Sequence, residues 1–319
     1  MRLLVTLALC WVSTASGAQS PPPGVPEWLF PLNPPAAADA PPADSVKPLH
    51  IPNSEVAFTA AQLINLFSVP DWHPAAHSPP PEVVARGRPP SVFACGFCHM
   101  PMGQGRPENA ALAGLPAQYI IRQVADFKSG ARRGALRDGY GPTDLMVKVA
   151  TNVSATDLAA AAEYFAAQRM TERTHVVETA RVPKMHVVGW IYAADEGGGA
   201  QEPIGGRLLE MTPDPELHEH RSDGLRYVAY APTGSTQRGK SLAHSSATAC
   251  VVCHGEGLQG VGLIPPLAGR SPTYILRQLL SFKTGARAGT TAEPMKAVVA
   301  NLQLNNMIDV AAYAASLQP

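Results

Sequence analysis

One five-residue motif occurs twice in this chain and constrains it more than any other feature. Residues Cys95–His99 read Cys-Gly-Phe-Cys-His, and residues Cys250–His254 read Cys-Val-Val-Cys-His. The form Cys-x-x-Cys-His is the attachment sequence of c-type haem: two thiols add to the vinyl groups, and the adjacent histidine binds the iron. For a single copy, half of a zinc site is the alternative. The second copy favours two haem sites.

The remaining cysteines narrow the chemistry further. Residues 1–18 have the pattern of a secretory signal peptide, with Arg2 at the start, an apolar run over Leu3–Val12 and small residues before a cleavage point after Ala18. Cleavage there removes Cys10. The four cysteines that remain all belong to the two motifs: Cys95, Cys98, Cys250 and Cys253. We therefore predict an exported, periplasmic protein with no cysteine left for a disulfide or a thiolate iron ligand.

Composition excludes several kinds of partner. The formal net charge of the 319 residues is zero, so nothing indicates binding to nucleic acid or to an anionic membrane surface. No segment approaches about 18 uninterrupted apolar residues, so no membrane span is predicted. Aromatic residues make up only 6% of a chain that is 45% hydrophobic. A core with so few aromatic rings is easier to understand if a large, flat cofactor occupies its centre.

An internal repeat decides the architecture. A shift of 155 residues aligns Cys95–Gly134 with Cys250–Gly289 without a gap, and an offset of 149 then matches Met146 to Met295. The first repeat, which begins at Cys95, therefore contains six extra residues around Leu136–Gly141. Since both repeats contain segments of helical periodicity, we predict two similar, mainly α-helical domains.

The chain divides into five predicted segments. They are a signal peptide (1–18), a Pro-rich extension with one short helix (19–80), a first haem domain (81–169), a connector of short strands and loops (170–235) and a second haem domain (236–319). Proline-rich sequence favours extended geometry, so the extension is expected to lack a core of its own. The connector is rich in valine and shows the alternation typical of strands.

Local signals place several helices. Thr59 and Gln62 form a capping-box pattern that predicts a helix through Phe67, with Leu63 and Ile64 on its apolar side. Helices are also predicted over Gln118–Lys128 and Ala155–Gln168, the latter capped by Ser154 or Thr156.

Each iron needs a second axial ligand or an open position. Met146 lies 47 residues after His99, and Met295 lies 41 residues after His254; the difference equals the insertion. A methionine thioether favours ferrous iron and raises the reduction potential, which suits an electron carrier. The alternative for a methionine is core filling, and Met307 is the competitor in the second repeat. We predict the iron ligands His99 with Met146 and His254 with Met295.

A repeated Tyr–Arg pair follows each motif. Arg122 and Arg277 lie one helical turn from Tyr119 and Tyr274, so a guanidinium could pair with a haem propionate and a hydroxyl could donate to it. The alternative is a helix surface with ordinary packing.

The loop after His254 carries a further signal. Pro265 and Pro266 are predicted to stiffen this loop, whose carbonyl orients the proximal imidazole.

With these residues in view, the chain resembles tandem class I cytochromes c, in particular periplasmic diheme carriers. The similarity covers residues 85–169 and 236–319 and includes repeated Leu-Ala-Gly, Tyr-Ile-x-Arg-Gln and Phe-Lys-x-Gly-Ala-Arg blocks. It implies two cytochrome c-like helical domains around covalent haem c with His/Met iron. It also implies electron transfer from a dehydrogenase or quinol-oxidising complex to an oxidase or reductase.

The leading functional hypothesis is a one-electron carrier or the electron-accepting subunit of a dehydrogenase. The alternative is a diheme redox enzyme, of peroxidase or thiosulfate-oxidising type, with a labile iron site in the first domain. A third hypothesis is that the extension and connector dock a larger enzyme. The first site departs from the family because Met100 replaces the usual glycine after the histidine and because of the insertion. Its ligation, solvent exposure or reactivity is therefore expected to differ from that of the second.

Overall fold

A computed structural model describes residues 24–34, 46–136, 139–197 and 199–319. The predicted signal peptide with Cys10, much of the first proline-rich run and two residues of the predicted insertion lie outside these ranges. Within them the helices are α1 (Ala60–Leu63), α2 (Glu82–Ala85), α3 (Cys95–His99), α4 (Ala117–Ser129), α5 (Gly141–Asn152), α6 (Ala155–Ala166), α7 (Pro215–Glu219), α8 (Ser235–Ala243), α9 (Cys250–His254), α10 (Pro272–Lys283), α11 (Glu293–Ala300) and α12 (Leu304–Ser316).

The helices repeat in the same order in both halves. α3 to α6 of the first repeat correspond to α9 to α12 of the second, and each motif forms a one-turn helix. In the first repeat α4 packs on α5 and α6, and in the second α10 packs on α11 and α12. The mainly helical prediction is confirmed for both halves.

Two helix-start signals are confirmed, whereas one helix end is wrong. The Thr59 side chain accepts from the Gln62 amide in a complete capping box, and Ser154 caps α6 by accepting from Asp157. However, α1 stops at Leu63 rather than at Phe67. The Asn65 side chain accepts from the Phe67 amide, which closes a local turn that competes with the helix. As a result Ile64, predicted to face inward, is 76% exposed.

The connector is more ordered than a set of short strands and loops. The described strands are β1 (Pro48–Leu49), β2 (Phe58–Thr59), β3 (Thr174–Glu178), β4 (Arg181–Pro183), β5 (Met185–Val188), β6 (Ile191–Ala194), β7 (Gln201–Pro203), β8 (Leu209–Thr212) and β9 (Tyr227–Ala231). Five of them form one sheet in the order β3-β9-β8-β6-β5, with β3–β9 and β6–β8 parallel. Alternate residues of β9 are buried, and β3 and β9 contact α12. The connector is therefore a small sheet packed on the second repeat.

Residues 24–34 of the proline-rich extension complete the core of the second repeat. Leu29 and Phe30 are buried with residues of α10 and α12. The Phe30 ring meets Tyr140 edge-on, with 5.3 Å between ring centroids. Residues 24–34 therefore link the second repeat to the residues that precede α5 of the first.

The later part of the extension is hydrogen-bonded to the connector. Trp72 is fully buried, packs edge-on against Phe58, and donates its indole N–H to the His220 carbonyl at 2.8 Å. Next to it, the Nδ1 of His73 lies 2.8 Å from a carboxylate oxygen of Asp223, and its Nε2 lies 2.8 Å from the Asn53 carbonyl. Only a protonated imidazole donates from both nitrogens.

This His73–Asp223 pair predicts a pH-dependent stability. The hydrogen bond to Asp223, followed by that to Asn53, raises the pKa of His73 above its ordinary value of 6.5. A raised folded-state pKa means that the stabilisation is complete below about pH 6.5 and disappears as the pH rises through the higher value. The free energy of unfolding of the wild type minus that of His73→Gln should therefore be larger near pH 6 than near pH 8. Chemical denaturation at both pH values measures it, and Asp223→Asn should abolish the difference.

Candidate haem-binding sites

Each motif histidine is oriented by a carbonyl from the loop that follows it. The Nδ1–H of His99 donates to the Ala110 carbonyl at 2.8 Å, and that of His254 donates to the Pro265 carbonyl at 2.9 Å. This contact fixes the tautomer and leaves Nε2 as the nitrogen that can bind iron. A carbonyl of this loop orients the imidazole, as predicted, and it belongs to Pro265; Ala110 occupies the same place in the first repeat.

Burial prepares both histidines as neutral ligands. Removal from water lowers the pKa of His99 and of His254, although the carbonyl contacts act in the opposite direction. The neutral imidazole is the form that ligates a metal. Burial also raises the pKa of Cys95 to about 12 and raises the pKa of Cys250. The first cysteine and the histidine of each motif are therefore at least partly shielded from water, whereas Cys253 is exposed.

The residue after each histidine adopts a backbone conformation typical of glycine. Gly255 has φ 83° and ψ 158°, and Met100 has φ 70° and ψ 155°. This region is essentially restricted to glycine, and another residue there costs about 1–3 kcal/mol. The Met100 side chain is fully buried, so its packing offsets that cost. The departure from the family pattern is thus accommodated without changing the course of the chain.

The two predicted sixth ligands occupy corresponding helices. Met146 lies in the middle of α5, and Met295 is the third residue of α11; both are half-buried. The competitor Met307 is fully buried in α12, among the core residues of the second repeat. Its position therefore indicates core packing. The ligand sets His99/Met146 and His254/Met295 remain predictions.

Two arginines cross reciprocally between the repeats. Arg132 of the first repeat donates to the Tyr274 hydroxyl of the second at 3.0 Å, and Arg287 of the second donates to the Tyr119 hydroxyl of the first at 2.7 Å. Burial raises the pKa of Tyr119, but Arg287 and Arg132 together outweigh it and lower the pKa. The two predicted tyrosines therefore lie at the contact between the repeats.

Two glutamines extend this arrangement. The amide oxygen of Gln123 accepts from Arg132 at 2.8 Å and from Arg287 at 2.6 Å. That of Gln278, the equivalent residue of the second repeat, accepts from the same two arginines at 2.8 and 3.3 Å. A short antiparallel bridge joins the backbone of Arg132 to that of Arg287. The repeats thus pack directly on each other by equivalent residues.

Three buried guanidinium groups at this contact have only neutral acceptors. Arg132, Arg287 and the nearby Arg270, which donates to the carbonyls of Ala111 and Ala113, are each at most 7% exposed. None forms an ion pair with a carboxylate among the residues described. Burial lowers the pKa of Arg270 to about 10 and lowers that of Arg287. Buried positive charge of this kind fits the carboxylates that a haem carries as propionates.

The arginines predicted to bind propionates lie elsewhere. Arg277 is buried and donates to the carbonyls of Leu29 and Pro107, whereas Arg122 is half-buried on α4. Arg132 and Arg287 were not among the residues predicted from the sequence. The repeat nevertheless contains a signal for them, because both end the Gly-Ala-Arg block that occurs at equivalent positions of the two repeats.

Comparison with known proteins identifies the family. No family model matches the chain. Cytochrome c-554(547) of Halothiobacillus neapolitanus is 36% identical over 93 residues, which cover 99% of that protein and 27% of this chain. The chain belongs to the c-type cytochromes.

Two further relatives match about two thirds of this chain. Cytochrome c4 of Azotobacter vinelandii is 27% identical over 225 residues, covering 69% of this chain and 82% of that protein. The thiosulfate dehydrogenase electron acceptor of Thiomonas intermedia is 28% identical over 204 residues, covering 63% of this chain and 68% of that protein. This cytochrome therefore carries two covalently attached haem c groups and transfers single electrons. Among the residues described, no helix is long and apolar enough to cross a membrane.

The reciprocal arginines predict a coupled effect on stability. Each glutamine oxygen accepts from both arginines, so Arg132→Met alone leaves both oxygens with a donor, and so does Arg287→Met. Only the double variant leaves the buried Gln123 oxygen and the half-buried Gln278 oxygen without a donor. We expect the loss in free energy of unfolding of the double variant to exceed the sum of the single losses by about 0.5–3 kcal/mol. Denaturant unfolding of the haem-loaded protein measures this.

A control cycle uses an arginine away from the contact. Arg181 donates to the Gln201 carbonyl within the connector and shares no acceptor with Arg132. The losses of Arg132→Met and Arg181→Met should add within about 0.5 kcal/mol. If the losses in free energy of unfolding of Arg132→Met and Arg287→Met added equally well, the two arginines would not act as a unit.

Proposed function

We propose that this cytochrome accepts single electrons from a dehydrogenase in the periplasm and passes them to an oxidase or reductase. The observation that carries the proposal is the matched pair of sites: each repeat presents a histidine oriented by a carbonyl and a methionine at the corresponding position of the next helix but one. Haem c, when bound, supplies a reversible one-electron couple. The export signal over residues 1–18 supports the location.

The residues divide into three roles. Cys95 and Cys98 attach one haem and Cys250 and Cys253 the other. His99 with Met146, and His254 with Met295, hold the irons. Arg132 and Arg287 bind propionates, with Tyr119 and Tyr274 as hydroxyl partners. This last assignment is supported by the buried guanidinium groups that lack a described carboxylate. Positive charge beside the haems also opposes the loss of an electron, which raises their potentials.

Thiosulfate dehydrogenase is the donor that the relatives favour, since one of them is a thiosulfate dehydrogenase electron acceptor. The test mixes the oxidised holo-cytochrome with that enzyme and thiosulfate, and follows haem reduction by absorbance. We expect complete reduction with the enzyme and none with thiosulfate alone. No reduction with the enzyme would refute this donor. Catalytic turnover of thiosulfate by the cytochrome alone would favour the alternative of a diheme enzyme.

The methionine assignment makes a spectroscopic prediction. In the oxidised protein the methionine-to-iron charge-transfer band should fall by about half in Met146→Leu and in Met295→Leu, and vanish in the double variant. The potential of the altered site should fall too, because a thioether stabilises ferrous iron. Leucine conserves volume, so the fold is retained. The matched control is Met307→Leu, which should leave the band unchanged; loss of the band in this variant would overturn the assignment.

A further inference from the structure

Equivalent surfaces of the two repeats differ in solvent exposure: the surface of the first repeat is covered, and that of the second is exposed. The first face consists of Phe97, which separates the haem cysteines, and the loop residues Arg106, Glu108 and Asn109. The second face consists of the equivalent residues of the other repeat, namely Val252, Val261, Leu263 and Ile264. Phe97 is 3% exposed, whereas Val252 is 78% exposed. Since the repeats share their fold, this difference arises from what covers each face.

The connector closes the first face. The Arg221 guanidinium lies 3.7 Å from the centroid of the Phe97 ring and donates to the Phe97 carbonyl at 3.0 Å. It also lies 3.4 Å from the Leu63 carbonyl of the extension. Connector and extension therefore meet directly over the helix that carries Cys95 and Cys98.

The loop of the first face is built to receive this cover. Arg106 and Glu108 form a buried ion pair at 3.0 Å. Arg106 also donates to the carbonyl of His218 at 3.0 Å, and His218 is fully buried on α7. Buried charges need such partners, and the connector supplies them. The polar side chains of this loop are thus matched to polar groups of the connector.

The second face carries no such cover among the residues described. Val261 and Ile264 close a tight bridge, and Val261 packs beside Gly255 at the end of α9. Val252 lies one turn earlier on that helix. Leu263 is 50% exposed, and Cys253 is exposed whereas Cys98 is half-buried. Four exposed apolar side chains therefore lie on the second motif and on the loop that follows it.

We propose that the second face is the docking surface through which this cytochrome exchanges electrons with another redox protein, and that the connector prevents such docking at the first face by covering it. The inference rests on the proposed electron-carrier function. It assigns intermolecular exchange to the second repeat, while the first repeat communicates with partners through the contact between the repeats.

The charge pattern identifies the kind of partner. The first face bears a charged pair and is covered by a segment with arginine and histidine, whereas the equivalent second-face residues are uncharged. A charged partner surface would lose its hydration there without gaining an opposite charge. The complementary surface is therefore an uncharged ring of apolar side chains around the partner's own redox centre. A second copy of this cytochrome in the other oxidation state presents such a ring and serves as the probe.

Electron self-exchange between oxidised and reduced copies tests the proposal. One electron passes from a ferrous to a ferric copy, so reactants and products balance. Leu263→Glu places two like charges against each other and should slow self-exchange by more than tenfold at low ionic strength. The control is Ile64→Glu, because Ile64 is an exposed apolar residue, 76% exposed against 50% for Leu263, on the covered side; we expect a change of less than about twofold.

The size of the effect separates one docking face from two. If both faces docked equally, four pairings of faces would exist, and Leu263→Glu would leave one intact, so the rate could fall only to about a quarter. A fall no larger than this overturns the proposal. As a rescue, reduced Leu263→Glu with oxidised Leu263→Lys should restore exchange at low salt and lose it at high salt.

A second measurement does not depend on electron transfer. In fully oxidised protein, raising the concentration should shift the backbone amide NMR signals of residues 250–264 and leave those of residues 95–109 unchanged. Shifts confined to residues 95–109 would refute the proposal. If the wild type showed no reversible one-electron couple, the electron-carrier function would fail. The amide shifts would still decide whether the second face docks a partner.

Discussion

The reciprocal contact of Arg132 and Arg287 with the tyrosine of the opposite repeat holds the two redox sites in one body. Both guanidinium groups are buried, and both hydrogen-bond only to neutral oxygens among the residues described. Burying a charge without an opposite charge costs several kcal/mol, which neutral acceptors offset only in part. The carboxylates of two haems would supply the missing charge. With the proposed propionate contacts, assembly of the interface would be coupled to haem loading, and the apoprotein would be the less stable form.

The connector adds a second constraint, which acts on one repeat only. Its sheet packs on α12 of the second repeat through β3 and β9, while α7 and Arg221 reach the first motif. A single element thus packs on both repeats. The extension strengthens this arrangement, because Trp72 and His73 hydrogen-bond to the connector next to α7. The extra chain relative to a simple pair of haem domains serves to cover one site.

Much of this could be predicted from the sequence because it depends on local or repeated signals. Helical periodicity located α4 and α6, the capping box located the start of α1, and the repeated motif located both histidines. That a carbonyl of the following loop orients the ring of His254 was also predicted, and the residue that supplies it is Pro265. In each case the deciding interaction lies within one element or recurs at a constant spacing.

What could not be predicted depends on contacts between distant segments. Ile64 follows a helix start, but a side chain one residue later ends the helix and leaves Ile64 in solvent. The burial of His218 could not be predicted because its partners, Arg106 and Tyr227, come from different parts of the chain. Arg132 and Arg287 are matched in the repeat, but no pattern within one repeat indicates that each reaches across to the other.

The loop after the proximal histidine shows how one fold serves opposite purposes. In both repeats it provides the carbonyl that orients the imidazole, so its backbone course is fixed by iron ligation. Its outward side chains are free of that constraint. In the first repeat they are charged and complete an internal interface, whereas in the second they are apolar and face solvent. An exposed apolar cluster gains nothing for the isolated protein and weakens its solubility, so its presence beside an exposed haem motif indicates a surface that is covered during function.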